Sequence, residues 1–328
     1  MGVGIAITGC GSATPQGVLS NNHLAQMVAT SDEWISTRTG MKNRHIASPS
    51  DTLSQLSATA AQNAIAMAGL APTDIDLIIL ATSTPDDLFG SACKIQGLIG
   101  ATNAVAFDLT AACSGFIFAL ITAAQFVNTG VYQNILIIGA DVLSRWVDWS
   151  DRTSCILFGD GAGAVVCQKT NQNRLLSYGM YSNGSQNDSL NLNYCGDARP
   201  LAGEIEAQQG SFNPITMNGR EVYRFAVAKV PEAISKAMFQ ANLTADDIDW
   251  LLLHQANQRI MDAVATRLKI PAAKILSNIA EYGNTSAASI PLALDAAVRE
   301  GKVKPGDTIA ASGFGAGLTW GAAIFQWG

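Results

Sequence analysis

LAPTDIDLIIL, residues 70–80, returns 173 positions later as LTADDIDWLLL, residues 243–253. Both segments run from a short acidic turn into an unbroken apolar stretch, the pattern of a buried strand. Carrying the same offset forward sets DLTAACSGFIFAL (108–120) on EYGNTSAASIPLA (281–293), and NILIIGA (134–140) on DTIAASG (307–313). Each half then closes with a glycine-rich turn and an apolar strand, GDGAGAVVCQ (159–168) and GAGLTWGAAIFQ (315–326). A repeat of roughly 20–50 residues would signal a solenoid; a single repeat of half the chain signals a duplicated domain.

Helical patterns at 54–69 and 222–241 precede the paired strands in the two halves. Near-continuous apolar strands alternating with helices imply an α/β fold with both faces of each sheet covered. The polar, Gly- and Asn-rich region 171–215 reads as the connection between halves, with loops that could cap a site. The expected organisation is an N-terminal half over 1–170 and connecting loops with a C-terminal half over 171–328.

Bulk composition narrows the function. Hydrophobic residues make up 48% and charged residues 14% of the 328, so much of the chain is interior. That suits a compact enzyme and excludes a disordered or fibrous chain. A formal net charge of −6 argues against broad nucleic-acid binding, while leaving room for a local basic patch. The six cysteines (10, 93, 113, 155, 167 and 195) form no CxxC pair and no Cys/His cluster, which argues against zinc and against a disulfide framework. MGVGIAITGCG at the start reads as a first strand, not a signal peptide, and no apolar run is long enough for a membrane span. A reducing, cytoplasmic setting is expected.

Cys113 lies where the buried strand AVAFDL (104–109) meets the apolar helix SGFIFALITAAQFV (114–127). Unpaired N–H groups at a helix start favour a thiolate, which makes Cys113 a candidate nucleophile. A small buried hydrophobe is the competing reading. With three histidines in the chain, at 23, 45 and 254, the choice of catalytic imidazole is narrow. His254 directly follows the strand DWLLL, and strand C-terminal ends are where α/β sheets present functional side chains. His23 sits in a polar helix start, and solvation accounts for His45. Asn284, in GNTSAAS, is either an N-cap or an amide donor to a developing oxyanion. The repeat equates Asn284 with Ala111, and Ser286 with Cys113. If the halves pack about a pseudo-twofold, both helix starts point at one spot. None of the glycine-rich turns at 9–17, 159–164 and 313–317 has the context of a phosphate or dinucleotide loop. The last better suits backbone N–H groups held near a substrate carbonyl. Trp34, Arg38, Arg152 and Arg259 are the cations and aromatics available for a phosphate- or adenine-bearing ligand.

TAACSGF at Cys113, HQAN at His254, GNTSAAS at Asn284 and GFGAGLTWG (313–321) together resemble β-ketoacyl-[acyl carrier protein] synthase III, and WISTRTGMKNRHIA (34–47) is similar to that family's N-terminal signature. The resemblance spans essentially the whole chain. It implies a thiolase-like five-layered αβαβα fold, a homodimer, and the initiating condensation of type II fatty acid synthesis. Cys113 would take an acyl group from acyl-CoA, usually acetyl, in a ping-pong mechanism. His254 and Asn284 would hydrogen-bond the thioester carbonyl of malonyl-[acyl carrier protein] as CO2 leaves, and backbone N–H groups of Cys113 and Ala316 would hold the oxyanion. No metal or redox cofactor is implied.

The same resemblance assigns CoA contacts to Trp34, Arg38, Arg152, Gly219, Tyr223 and Asn257. It assigns carrier-protein docking to Gln255, Ala256, Asn257, Gln258 and Arg259, with Arg224 and Arg267 adding positive charge on the same face. Phe89 matches a residue that closes the partner subunit's acyl pocket. Tyr223, where Phe is common, and Ala316, where some members have Gly, are departures from the family pattern. A chalcone-type polyketide synthase shares fold and triad, but is longer and takes malonyl-CoA without carrier docking. A non-catalytic partner subunit is a further alternative, and the complete set Cys113, His254 and Asn284 speaks against it.

Overall fold

A computed structural model of the chain describes residues 4–328. Two five-stranded sheets form its frame. The first contains β1 (Gly4–Ala13), β2 (Leu77–Ala81), β3 (Val105–Leu109), β4 (Asn134–Val142) and β5 (Asp160–Thr170), in the order β1-β5-β4-β2-β3. The second contains β6 (Leu175–Ser182), β7 (Trp250–Leu253), β8 (Ile275–Leu276), β9 (Thr308–Gly315) and β10 (Thr319–Gln326), in the order β6-β10-β9-β7-β8. The β2, β3 and β4 strands run parallel, as do β7, β8 and β9, and the remaining pairs are antiparallel in both sheets. The duplication read from the sequence is therefore a duplication of topology.

Seven helices fill the layers around these sheets: α1 (Asp32–Thr39), α2 (Leu53–Met67), α3 (Ala92–Ile99), α4 (Gly115–Asn128), α5 (Gly219–Gln240), α6 (Gln258–Leu268) and α7 (Ser289–Arg299). The α4 and α7 helices lie between the sheets, and α4 is apolar over most of its surface, leaving Gln125 and Asn128 exposed. The central core joins Phe116 and Ile290 of these helices to Ile137 of one sheet and Ala311 of the other. The α2 and α3 helices cover the outer face of the first sheet. The α5 helix covers that of the second, with the amphipathic α6 beside it, burying Ile260, Met261, Val264 and Leu268. The order is αβαβα, the thiolase-like arrangement.

Two expectations need correction. The turns that lead into the central helices are Ala112–Ser114 and Ser286–Ala288, and each opens on a non-glycine residue in the left-handed region, Ala112 at φ 45° and Ser286 at φ 50°. Cys113 therefore corresponds to Ala287, not Ser286, and Asn284 to Thr110, not Ala111. The offset is 174 here and between β4 and β9, where Ile135 lies beside Leu77 and Ile309 beside Trp250. A run of Ala, Ser and Thr matches equally well in either register, so the sequence comparison had nothing to fix the extra residue. Second, the region 171–215 is more than loops. It contains β6, the counterpart of β1, and an exposed hairpin pairing Tyr194–Ala202 with Ile205–Phe212.

Candidate active site

Cys113 sits at the head of α4 and is 8% exposed. The left-handed Ala112 before it is a strained conformation for a residue with a side chain, of the kind that holds functional groups at sharp strand-to-helix turns. The expected lowering of its thiol pKa does not hold. Burial pushes the thiol up to about 12; a hydrogen bond with the Ser286 side chain pulls the other way, and the Asp141 carboxylate raises it further. Excluding water costs the thiolate more than its hydrogen bonds return. At neutral pH Cys113 rests as a thiol.

His254 follows β7 and is 2% exposed. Its backbone N–H donates to the Ser312 carbonyl at 2.9 Å. Its ring meets Phe314 edge to face at 5.4 Å, and Nδ1 lies 2.7 Å from the Ser289 hydroxyl. Burial pulls its pKa down to about 3, so the imidazole is neutral.

Asn284 is held by backbone on both sides: its N–H donates to Leu157 and its carbonyl accepts from Gly159. Its side-chain oxygen accepts the Ser286 N–H at 2.9 Å. A backbone N–H can be satisfied only by the oxygen end of the amide, which fixes which way the group faces. The N-cap role and the donor role are thus compatible: the oxygen caps the turn while the NH2 group keeps both hydrogens for the cavity.

The duplication gives Cys113 an internal control. Its counterpart, the Ala287 N–H, donates to the buried carboxylate of Asp141 at 3.2 Å. Asp141 also accepts from Ser83 N–H and from the hydroxyls of Thr82 and Thr84. In the second sheet the residue corresponding to Asp141 is Gly315, and a Cβ there would lie only 2.7 Å from the Cys113 nitrogen. Where one half spends this turn's N–H on a carboxylate, the other places a residue without a side chain against it. The adjoining Ala316 turn is tied down through Thr319, whose hydroxyl contacts the Ala316 and Ala111 carbonyls and the Ser114 hydroxyl.

Cys113, His254 and Asn284 line one cavity of about 130 Å³, together with Gly219, Tyr223, Ala256 and Asn257. Sequence reasoning missed its apolar wall: Leu157, Phe158, Leu190, Met217, Val222, Ile260 and Phe314. It also missed Arg44, fully buried, whose guanidinium donates to the carbonyls of Leu19 and Ile156 and to Asn21 Oδ1. That clamp fastens the antiparallel pair Gly17–Ser20 and Asn43–Ile46 to the 143–159 segment, which carries Arg152, Leu157 and Phe158.

Trp34, Arg38 and Arg152 form a cluster of their own outside the cavity lining. The guanidinium carbons of Arg38 and Arg152 lie 4.5 and 4.8 Å from the centre of the Trp34 ring. Arg224, Arg259 and Arg267 are all exposed on the neighbouring α5 and α6. Gln258 is half-buried, bonded to Asp262 and Ser277. Gln255 departs from expectation: its side chain is completely buried, donating to the Leu253 and Leu276 carbonyls and accepting the Asn278 N–H. It is a brace beneath the backbone of segment 254–258 rather than a surface contact, and a docking partner cannot touch it. Phe89 is fully exposed and does not line this cavity. Neither His23 nor His45 lines the cavity. Among the described residues no group of three or more His, Cys, Asp or Glu side chains could hold a metal ion, and no helix is long and apolar enough to cross a membrane.

Known proteins match this chain along its whole length. Residues 107–184 match the model of the 3-oxoacyl-[acyl-carrier-protein] synthase III family, and residues 238–327 match that of the family's C-terminal region. The β-ketoacyl-[acyl-carrier-protein] synthase III of Acaryochloris marina is 68% identical over 327 residues, covering 100% of this chain and 98% of the relative. That of Trichormus variabilis is 67% identical, covering 99% of both. The crystal structure of 3-oxoacyl-[acyl-carrier-protein] synthase III from Aquifex aeolicus superimposes with a TM-score of 0.91 at 43% identity, covering 99% of this chain and 100% of that one. The chain belongs to the β-ketoacyl-[acyl-carrier-protein] synthase III family, condensing acyltransferases that initiate fatty acid synthesis.

Proposed function

We propose that the chain condenses a short acyl-CoA, acetyl-CoA foremost, with malonyl-[acyl carrier protein] by a ping-pong route through an acyl-Cys113 thioester. The observation that carries this reading is the convergence of Cys113, His254 and Asn284 on one small cavity with a largely apolar wall. Cys113 sulfur attacks the acyl-CoA carbonyl and CoA leaves with the thiol's proton. Malonyl-[acyl carrier protein] then enters and loses CO2. The enolate oxygen is stabilised by N–H donors from His254 and from Asn284, whose oxygen is already engaged. The carbanion attacks the Cys113 thioester, and the Cys113 and Ala316 N–H groups hold the tetrahedral oxyanion. Its collapse breaks the C–S bond, releasing 3-oxoacyl-[acyl carrier protein] and the Cys113 sulfur, which takes up a proton. Carbon–carbon bond formation is driven by loss of CO2, so the reaction calls on no metal or redox cofactor.

In this reading Trp34, Arg38 and Arg152 receive the nucleotide end of CoA, while Gly219, Tyr223 and Asn257 flank its pantetheine arm. Arg224, Arg259 and Arg267 offer an acidic carrier protein a positive face despite the net −6. A second copy of the chain is supported by β3, an edge strand with exposed Val105, and by the exposed Leu88 and Phe89 in the turn that Asp108 of β3 anchors through Ser91. Phe89 would then reach the partner's acyl pocket. Six unpaired cysteines support a reducing, cytoplasmic setting.

The test is intact mass after incubation with a panel of acyl-CoAs, followed by peptide mapping. Mass gain on Cys113, strongest with one acyl length, supports the nucleophile and names the starter. No gain with any acyl-CoA, while an alkylating agent still labels Cys113, overturns acyl-CoA as the donor.

A further inference from the structure

We infer that Ser289 is a positioning residue that holds the His254 imidazole with its proton on Nε2, the nitrogen not engaged by protein. The inference deepens the reading of His254 as a donor to the thioester carbonyl and rests on it. Ser289 is the first residue of α7 and is buried. Its hydroxyl oxygen accepts the Gln255 N–H at 3.3 Å and lies 2.7 Å from His254 Nδ1. A hydroxyl has one hydrogen to give. Among the described residues, its one acceptor here is Nδ1. A proton on Nδ1 would aim two donors at the same oxygen and leave the hydroxyl hydrogen with nothing to bond. With the hydroxyl donating, Nδ1 is the acceptor and the ring proton resides on Nε2. Phe314 packs against the ring and opposes a flip that would exchange the two nitrogens.

The duplicated half supplies an independent observation. The position equivalent to His254 is Ala81, the last residue of β2, and the position equivalent to Ser289, at the head of α4, is Gly115. There a Cβ on Gly115 would stand 3.1 Å from the Ala81 Cβ. The two positions are neighbours in both halves. One half fills them with two minimal residues, and the other with an imidazole and the hydroxyl that bonds it. The neutral state expected of the buried ring agrees with this assignment.

The test is 15N NMR of the full-length chain labelled at histidine, which has three such residues to resolve, with a His254→Gln variant to assign the buried one. In the unsubstituted protein His254 should carry its proton on Nε2. In Ser289→Ala the proton should move to Nδ1 or divide between the two nitrogens. Malonyl decarboxylation should fall at least about tenfold, with acyl loading of Cys113 unchanged. A proton found on Nδ1 in the unsubstituted protein, or an unaltered tautomer in Ser289→Ala, overturns the inference. The tautomer is read without reference to activity. If it behaves as stated while His254→Ala decarboxylates normally, the donor reading of His254 fails and the Ser289 constraint stands.

Discussion

The side-chain oxygen of Asn284 accepts the Ser286 N–H at 2.9 Å, so one amide both braces a strained turn and turns its nitrogen toward the cavity. These roles separate in Asn284→Asp. The carboxylate can still accept from Ser286, so thermal unfolding should stay within a few degrees of the parent. The N–H donor is gone and a negative charge faces the enolate. Malonyl decarboxylation should therefore drop by about 10²–10³-fold, the cost of one preorganised donor. A variant that unfolds but decarboxylates normally until then would make Asn284 a cap alone.

His254 makes the fold sensitive to acid. Its pKa is about 3 in the folded chain against 6.5 ordinarily, because burial disfavours the imidazolium. The unfolded chain thus takes up a proton that the folded chain refuses. This contribution to stability is complete above pH 6.5 and is lost as the pH falls toward 3, at up to about 1.4 kcal/mol per pH unit. Asp141 and Asp160, whose carboxyls burial pushes upward, act in the opposite sense over part of that range. Denaturant unfolding of the parent and of His254→Gln isolates the histidine. The stability difference between them should be level from pH 7 to 8 and shift against the parent between pH 6 and 4.

How much of this was legible in the sequence depends on what kind of signal each feature leaves. The duplicated strands were plain, because LIIL and the LLL of WLLL are buried and burial on both faces writes itself as unbroken apolar runs. Cys113, His254 and Asn284 stood out as candidates because each lies at a strand end or a helix start, and the fold brings all three to one cavity. The one-residue change of offset did not stand out, because TAACS and NTSAA are small residues throughout. Arg44 left no signal in the sequence, since its partners are carbonyls and an amide scattered over more than a hundred residues. Gln255 was read as exposed by its place in a polar motif, whereas the strand end beneath it needed its amide. The Cys113 thiol pKa was misjudged for a related reason: the helix start is local and visible, but the depth of burial is a property of both halves together.

Gly315 gives a direct test of the turn against Cys113. A methyl group there would stand 2.7 Å from the Cys113 nitrogen and 3.0 Å from its Cβ, so the strand or the turn must shift. Gly315→Ala should lose acyl loading of Cys113 by about 10²-fold or more, since the oxyanion donors no longer converge. Ala316→Gly, which keeps its N–H, should load at close to the parent rate. Intact-mass time courses distinguish the two. Equal loading by parent and Gly315→Ala would remove this turn from the oxyanion site.

Burial separates two residues of one motif. Arg259→Glu should raise KM for malonyl-[acyl carrier protein] several-fold by placing like charge opposite an acidic partner, and leave KM for acyl-CoA unchanged. Gln255→Leu should instead lower stability by about 1–3 kcal/mol, because the Leu253 and Leu276 carbonyls and the Asn278 N–H lose their partner inside the protein. A Gln255 variant with normal stability and weakened carrier affinity would return it to the docking surface.

Cys113 finally sets the pH dependence of the first half-reaction. With its thiol pushed up to about 12, only a small fraction is thiolate near pH 7, and that fraction grows about tenfold with each pH unit. Alkylation of Cys113 by iodoacetamide, followed by peptide mapping, should accelerate by that factor from pH 7 to 10 without levelling off. A plateau below pH 9 would mean that the helix start outweighs burial and that the thiolate is preformed. Cys113→Ala, lacking sulfur altogether, should show neither alkylation nor acyl transfer at this position at any pH, and the slope belongs to Cys113 only if the mapped label disappears with it.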